Sequence, residues 1–386
     1  MLDPRWYEGR EPALVKHTFL DTYMPAQIPK VVSWADTFVY VDLFAGPWQS
    51  QSDDFSDTSF GIALRHMTEA KAKQAQFGKS VKMVAHLVEK NPKSFPKLVE
   101  AVKRFPEVET QCYFGTAEQH VDAVTASIRP RAFRLVVIDP TGIPDVRRFR
   151  RLIEPLNTEV LLNFMFQFAN RFASSQDRMP PLEGWLGNLQ DGGEWRSIFG
   201  ALSGAEREAA ISERARLALK EMGNYQFAPA LTVDETHVDR TLYKLIFLTR
   251  HSAGMKVFRA AHLRALETQA TYRSAKKAEN RQRQTGMDDM FSETLPIEPG
   301  ERSAKIIAAG QTEATQLLLQ LLASKAEGIT WKEIWPAVLD GCVVSHRTLS
   351  EIAQELWLQG EVVVPAWQSR RVKRPKDDFR FHLAAR

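Results

Sequence analysis

Three acidic residues stand where predicted strands end. Asp42 and Glu89 close two apolar runs, and Asp139 directly follows a third. In an open parallel sheet the carboxyl ends of the strands meet at one edge, where small molecules bind. Carboxylates at that edge can accept hydrogen bonds from a ligand or take up a proton. Each acid alone also fits ordinary turn chemistry, but acids at three strand ends of one sheet favour a ligand site.

Small residues follow the first of these acids in the stretch Phe44-Ala45-Gly46-Pro47. Glycine lets backbone N–H groups approach a ligand closely, and the helix after such a turn offers its positive N-terminus. The stretch Thr116-Ala117-Glu118 opens a predicted helix after the third strand in the same way. Both stretches are candidates for holding a ligand.

Alternating apolar and polar stretches supply the elements that must position these residues. Runs rich in β-branched and aromatic residues predict seven strands, at 38–44, 81–89, 107–114, 133–138, 159–168, 225–233 and 240–249. A helix at 11–24 carries Lys16 and His17, which are either exposed packing-helix residues or residues over the ligand pocket, at even odds. The order predicts an α/β domain of βα units closed by a β-pair, with a helical insertion at about 172–223 and a final helix at 255–279.

Composition sets the broad class. The chain has 386 residues, 44% hydrophobic and 25% charged, which is typical of a globular protein of two domains. Its formal net charge is only +4, so nucleic-acid binding would depend on local basic patches. Two isolated cysteines predict neither a disulfide framework nor a metal site. Without a signal-peptide core or a long apolar run, we expect a soluble cytoplasmic protein with no membrane contact.

These motifs, in this order, resemble class I S-adenosylmethionine-dependent methyltransferases, and more closely the three-Cys-motif partner protein (TcmP) family. The residues that carry the resemblance extend over roughly 15–255: Lys16-His17, Val41-Asp42-Leu43-Phe44-Ala45-Gly46-Pro47, Glu89, Asp139-Pro140-x-Gly142 and Thr249-x-His251-x-x-Gly254. The resemblance implies a Rossmann-like domain that binds S-adenosylmethionine, and a partner protein of the radical-S-adenosylmethionine type.

The same resemblance distributes roles over the candidate residues. Cofactor contacts fall to Lys16, His17, Asp42, Phe44, Ala45, Gly46, Pro47, Glu89, Thr116, Ala117 and Glu118, with Glu89 on the ribose and Glu118 near the adenine amine. Asp139 and Pro140 form the acceptor end, and His251 is a weaker candidate base.

Two departures from the usual methyltransferase motifs affect the predicted chemistry. Gly46-Pro47-Trp48 replaces a Gly-x-Gly, which puts a bulky ring where backbone approach would be easiest. Thr141-Gly142 replaces the Pro and aromatic residue that follow Asp-Pro in many enzymes that methylate exocyclic amines, which removes the ring that stacks on a flipped base.

An arginine cluster follows the Asp139 turn and consists of Arg147, Arg148, Arg150 and Arg151. A charge run of this kind is by default a solvated helix face. Its position beside the predicted crevice makes contacts with phosphates an equal alternative.

The C-terminal part of the sequence resembles a winged helix-turn-helix domain at 306–386, after a linker at 281–305. Its third helix, 345–359, turns one apolar face inward and leaves His346 and Arg347 outward. A basic loop follows, which we call the wing, and its cations are candidates for phosphate contacts: Arg370, Arg371, Lys373, Arg374 and Lys376. A protein-docking module is the rival interpretation.

Together these features predict a methyltransferase-like domain at 1–280 that uses S-adenosylmethionine to methylate nucleic acid, either DNA or RNA. The alternative is a binding or scaffold protein that does not methylate and that brings nucleic acid to a radical-S-adenosylmethionine enzyme.

Overall fold

The computed structural model describes residues 2–46, 50–173, 180–186, 195–285, 301–367 and 374–384. By their internal contacts the residues form two compact units, Met1–His251 and Ser252–Arg386. The division falls where a long helix begins, whereas the sequence analysis placed that helix in the first domain and the boundary at residue 280.

A seven-stranded sheet forms the centre of the first unit, in the order β3-β2-β1-β4-β5-β7-β6. The first five strands pair in parallel, while β7 is antiparallel to both of its neighbours. The predicted Rossmann-like α/β sheet, closed by a β-pair, is confirmed. Its strands are β1 Thr37–Asp42, β2 Lys82–Glu89, β3 Glu109–Phe114, β4 Phe133–Ile138, β5 Thr158–Phe164, β6 Ala230–Asp234 and β7 Thr241–Leu248.

Every residue of β1, β4 and β5 is buried, as expected for strands covered on both faces. The helices around the sheet are α1 Glu11–Val31, α2 Ser59–Gln76, α3 Phe95–Val102, α4 Ala117–Ser127, α5 Arg150–Ile153, α6 Phe166–Ala173, α7 Pro180–Leu186, α8 Trp195–Ala201 and α9 Gly204–Met222.

Two predicted strands differ from the observed ones. The strand predicted at 159–168 ends at Phe164, and α6 starts at Phe166, because the apolar run continues into a helix whose Ala169 enters the core. The strand predicted from residue 225 starts at Ala230. Pro229 precedes it, and proline has no N–H for a strand ladder.

The predicted helical insertion packs against the sheet where the structure describes it. Leu182, Trp185 and Phe199 are buried in the same apolar core as Phe164, the last residue of β5. The Trp185 indole lies 5.2 Å from the Phe164 ring and donates a hydrogen bond to the Pro144 carbonyl at 2.6 Å. The insertion therefore flanks the carboxyl ends of the central strands, while 174–179 and 187–194 lie outside the described residues.

The second unit combines four helices with a small antiparallel sheet in the order β8-β10-β9. The predicted linker, 281–305, is helical at both ends, because α10 runs to Thr285 and α11 starts at Arg302. Residues 286–300 lie outside the described residues. The elements are α10 Ser252–Thr285, α11 Arg302–Ala323, β8 Ile329–Thr330, α12 Trp331–Gly341, α13 His346–Leu358, β9 Val362–Val363 and β10 Arg380–Leu383.

A buried ion pair fastens α10 to the start of α11. Arg273 donates from Nε to Glu301 at 3.0 Å, and both side chains are fully buried. Glu301 also caps α11 by accepting from the Ala304 N–H. Among the helices that the structure describes, none is long and apolar enough to span a membrane.

Candidate functional site

The strand register brings the predicted acids together at one edge of the sheet. Asp42 is level with Leu87 of β2 and Val137 of β4, so Glu89 and Asp139 lie two residues further toward the edge on either side. The three acids thus occupy three adjacent strands, with Asp42 recessed between the other two. We call this row the acidic edge.

Asp42 is completely buried at the end of β1. It accepts hydrogen bonds from the Phe44 N–H at 3.0 Å and from the Tyr40 hydroxyl at 3.1 Å. Burial raises the pKa of Asp42 to about 6, and the negative charge of Asp139 acts in the same direction, while Lys16 and the hydrogen bonds oppose it. A cation placed beside Asp42 would therefore stabilise its ionised form.

The turn after β1 is held between its neighbouring strands. The Leu43 N–H donates to the Val137 carbonyl of β4 at 3.2 Å, and the Ala45 N–H donates to the Val88 carbonyl of β2 at 2.9 Å. The Gly46 N–H donates to the Phe44 carbonyl at 2.9 Å, so it is engaged within the turn. Pro47 and Trp48, which the sequence analysis singled out, lie outside the described residues.

Glu89 and the start of α4 form the next part of the acidic edge. The Glu89 side chain is buried and accepts a hydrogen bond from the Asn91 N–H, and its backbone carbonyl accepts from the Gly115 N–H at 3.0 Å. Thr116 caps α4 in a capping box with Gln119, and Ala117 is buried. Glu118 is half-buried and forms no ion pair within the described part of the chain.

Gly115 has a φ of +141°, and a Cβ at this position would lie 2.6 Å from the His120 ring. Only glycine fits this close turn between β3 and α4. The carboxylate of Glu89 and the N-terminus of α4 are thereby brought to the same edge.

Asp139 is held from two sides, by Lys16 of α1 and by Asn163 of β5. The Lys16 ammonium forms an ion pair with Oδ2, and Nδ2 of Asn163 donates to Oδ1 at 2.7 Å. The side chains of Lys16 and Asp139 are 13% and 19% exposed, so the pair is largely shielded from water. Pro140, the next residue in the chain, is buried. Lys16 thus lies beside Asp139, and Asn163 is a residue of the candidate site that the sequence analysis missed.

His17 faces the N-terminal segment. Its Nδ1 lies 2.9 Å from the Tyr7 hydroxyl, and burial holds the pKa of His17 well below its usual range, with the cations Lys16 and Arg10 acting in the same direction. Arg10 also forms an ion pair with the fully buried Asp57 of the loop after the first turn. His17 is therefore a neutral packing residue that helps to fasten α1 at the level of Lys16.

His251 lies at the opposite edge of the sheet, which corrects its assignment as a candidate base. Because β7 is antiparallel to β5, its carboxyl end reaches the amino ends of the parallel strands. There Thr249 donates to Glu159, the second residue of β5, at 2.8 Å, and the His251 N–H contacts the Thr249 hydroxyl at 3.2 Å. His251 is exposed there, separated from Asp139 by the length of β5.

The arginine cluster after Asp139 is exposed on a short helical turn and α5. Arg147 pairs with Asp145 at 2.8 Å, and Arg150 pairs with Glu154 at 3.3 Å. Arg148 and Arg151 are also exposed. Exposed arginines of this kind are compatible with both alternatives, a solvated helix face and contacts with phosphates.

In the second unit, Arg347 is exposed on α13, as predicted, and pairs with Glu351 at 2.9 Å. His346 is half-buried, not outward, because its ring packs edge-on against Trp331 and Trp335, with centroids at 6.0 and 5.1 Å. Burial, followed by Lys256, lowers the pKa of His346 to about 4, with Arg374 acting in the same direction.

Part of the wing lies within the described residues. Arg374 is exposed, and the Lys376 ammonium lies 5.9 Å from the centre of the Phe379 ring. The other predicted wing cations, Arg370, Arg371 and Lys373, lie outside the described residues.

Glu159 gives the first testable prediction. It is fully buried and accepts hydrogen bonds from Tyr23, Gln27 and Thr249, and burial raises its pKa from 4.5 to about 7. Between pH 4.5 and 7 the unfolded chain is ionised at this position while the folded chain keeps the proton, so the free energy of unfolding falls as pH rises. The loss is about 3 kcal/mol over this window. Glutamine cannot ionise, so Glu159→Gln should abolish this pH-dependent loss of stability. Urea unfolding at a series of pH values measures the free energy of unfolding of both proteins.

The exposed Glu107 provides the matched control for that measurement. Glu107→Gln leaves Glu159 in place and should therefore show the same fall in the free energy of unfolding over this window as the parent. If the stability of Glu159→Gln follows that of the parent in parallel across the window, Glu159 does not titrate as described.

Comparison with known proteins adds little to this geometry. No family model and no curated protein matches the chain. Among solved structures, the chain resembles an O-methyltransferase from Bacillus cereus in complex with SAH, with a TM-score of 0.32, 10% identity, 61% of this chain covered and 80% of that one.

A loganic acid methyltransferase with SAH gives a TM-score of 0.31 at 8% identity, over 72% of this chain and 90% of that one. The CMeT domain of the citrinin polyketide synthase gives a TM-score of 0.27 at 12% identity, with 55% of this chain and 46% of that chain covered. All three TM-scores are below 0.5, so the likeness says nothing about what this chain binds or does.

Proposed function

We propose that this protein is an S-adenosylmethionine-dependent methyltransferase that acts on nucleic acid, with a winged-helix second unit that binds the substrate. The observation that carries the proposal is the acidic edge: Asp42, Glu89 and Asp139 gathered around the turn 43–46 on three adjacent strands. The order of the seven strands, with β7 antiparallel, supports the same conclusion, because it is the sheet expected of a class I methyltransferase.

The charge of the acidic edge distinguishes between possible nucleotide ligands. In the described part of this edge Lys16 forms an ion pair with Asp139, while Asp42 and Glu89 form no ion pair. A dinucleotide would bring two phosphate charges to the turn after β1, where the Gly46 N–H is already engaged. S-adenosylmethionine instead brings a sulfonium and an ammonium group. The residues present therefore fit a cationic cofactor better than a phosphorylated one.

Each acid of the edge has a distinct proposed role. Glu89 can accept hydrogen bonds from a ribose diol, and Glu118 lies at the start of α4, where an adenine amine can be reached. The recessed Asp42 offers negative charge beneath the cationic part of the cofactor, and a cation there favours its ionised form. When bound, S-adenosylmethionine supplies an electrophilic methyl group. Asp139 would orient the acceptor and take its proton.

Glu89 provides a test of cofactor binding. Glu89→Gln should weaken S-adenosylmethionine binding by about 1 to 3 kcal/mol, the contribution of a hydrogen bond to a charged group in a buried site. Titration calorimetry measures the dissociation constant, and the exposed Glu100 of α3 serves as the control when changed to Gln. An unchanged dissociation constant in a folded Glu89→Gln variant would remove Glu89 from the cofactor site.

The second unit supports the substrate side of the proposal. Its elements follow the order α11, β8, α12, α13, β9, β10, which is that of a winged helix-turn-helix with α13 as the recognition helix. Two cations, Lys256 and Arg374, and one acid, Asp377, act on His346 at the start of α13, so cations outnumber acids there by one. Such a surface suits the phosphates of nucleic acid.

One experiment tests the proposed function as a whole. The full chain is titrated with S-adenosylmethionine by calorimetry and then incubated with radiolabelled S-adenosylmethionine and DNA or RNA. Binding together with label in nucleic acid is the expected result. Cofactor binding without transfer to any nucleic acid would exclude the proposed substrate, and no binding would favour the non-methylating alternative. A radical-S-adenosylmethionine partner remains a prediction from the resemblance.

A further inference from the structure

Asn163 carries an unused hydrogen-bond acceptor at the acidic edge. The residue is next to last in β5, is 6% exposed and lies one residue beyond Leu162, which is level with Ile138 of β4. Its Nδ2 donates to Asp139, but its Oδ1 is buried without a hydrogen-bond partner among the residues that the structure describes. Buried amide oxygens are nearly always paired. An oxygen left open beside a candidate acceptor site therefore indicates a missing donor.

The neighbouring carboxylate fixes which way the Asn163 amide points. An ionised carboxylate only accepts hydrogen bonds, so it must face the NH2 end of the amide. Oδ1 is then directed away from the atom that contacts Asp139. A carboxylate has about four lone-pair positions, and Asn163 and Lys16 each donate to one oxygen of Asp139. Asp139 and Asn163 thus place two hydrogen-bond acceptors side by side at the acidic edge.

We propose that the methyl acceptor is an amino group, namely the exocyclic NH2 of a nucleobase, and that Asn163 is a further acceptor-binding residue. This inference rests on the proposed function and deepens it. An NH2 group brings two hydrogens, one for Asp139 and one for Oδ1 of Asn163. A hydroxyl brings one hydrogen and a carbon acceptor brings no strong donor, so neither can donate to Asp139 and to Oδ1 of Asn163 at the same time. Asn163 thereby supplies a second acceptor in a site that lacks the usual residues after Asp139-Pro140.

The reaction is balanced with these residues. The lone pair of the amino nitrogen forms a bond to the methyl carbon while the carbon–sulfur bond breaks, and that electron pair remains on sulfur. One N–H proton passes to Asp139 and from there to water, which leaves a neutral methylated amine. The remaining N–H stays on Oδ1 of Asn163 during the transfer. Asn163 therefore selects for nitrogen without taking the proton itself.

Mass spectrometry can identify the methylated atom. The full chain is incubated with S-adenosylmethionine carrying a CD3 group and with total RNA and genomic DNA, which are then digested to nucleosides. The label is expected on the exocyclic amine of adenine, cytosine or guanine. Label on a ribose hydroxyl or a ring carbon would overturn this inference while the proposed function stands. No label in any nucleoside would overturn the proposed function and this inference with it.

Two variants of Asn163 test its part in the site. Asn163→Leu, similar in shape though larger, should lower label transfer by about 10- to 100-fold, with an unchanged dissociation constant for S-adenosylmethionine. The control is Asn157→Leu, a half-buried asparagine just before β5 at the other end of the strand. Equal transfer by Asn163→Leu and the parent would overturn the inference.

Asn163→Asp provides a second test of this residue, which applies even if Asn163→Leu does not fold. Two adjacent carboxylates hold one proton between them at neutral pH, so the acidic limb of the pH–rate profile should move to higher pH. A residue with only a structural role would not move that limb. A profile identical to that of the parent would contradict contact between this pair and the acceptor.

Discussion

Asp139→Asn is expected to lower methyl transfer by about 100- to 1,000-fold while S-adenosylmethionine still binds. The substitution keeps the shape of the side chain but removes the proton acceptor, a loss in the range measured for catalytic acids and bases. It also takes away the negative partner of Lys16, a pair that is largely shielded from water. Transfer of labelled methyl groups and titration calorimetry measure the two effects separately.

Asp145→Asn is the matched control for this substitution. Asp145 lies in the same connection after β4 and pairs with Arg147 at 2.8 Å, outside the acidic edge. This variant should retain the activity of the parent. Equal turnover by Asp139→Asn and Asp145→Asn, with both variants folded, would exclude Asp139 from the chemistry.

The acidic edge could be predicted from the sequence because it depends on where apolar runs end. In parallel pairing, the residues that close adjacent strands must reach the same edge, whatever the details of packing. The ends of β2 and β4 coincide with the predicted ends, and Asp42 closes β1. The ends of the strands and their parallel register are therefore enough to predict that Glu89 and Asp139 lie at the same edge of the sheet.

The sequence analysis did not identify Asn163 as a site residue, because β5 and α6 lie within one continuous apolar run. The run from Glu159 to Phe168 has no periodicity that separates a buried strand from the start of a buried helix. Treated as a single strand, it placed Asn163 in the middle. The strand ends at Phe164, which moves Asn163 to the edge beside Asp139.

Two other features depend on contacts that a linear pattern does not contain. Lys16 and Asp139 are 123 residues apart, and only the packing of α1 against the sheet brings them together. The place of His251 depended on the direction of β7, which the apolar pattern of a strand does not give. Motif order made Lys16 a candidate for cofactor contact and His251 a weak candidate base, but it does not tell at which edge of the sheet either residue lies.

The second large effect is expected in the wing of the second unit. Each cation that neutralises a phosphate releases condensed counterions, so the logarithm of affinity falls with the logarithm of salt at about 0.9 per contact on duplex DNA, or 0.7 on single strands. Four cations of the wing are to be changed to Ala together: Arg370, Arg371, Lys373 and Arg374. The log–log slope should then decrease by up to about 4, and affinity near 0.15 M salt by up to about 1,000-fold, similarly on all sequences.

A control variant removes the same number of cations from exposed positions of the second unit outside the wing: Arg264, Arg281, Lys305 and Lys325. Fluorescence anisotropy over a salt series, on DNA and RNA in duplex and single-stranded form, measures the slope for both variants. Both carry the same change in net charge, so a non-specific field would lower their slopes equally, whereas direct phosphate contacts lower only the slope of the wing variant. If the wing variant binds with the slope of the parent, the wing does not contact phosphates, and the second unit is better explained as a docking surface for a protein.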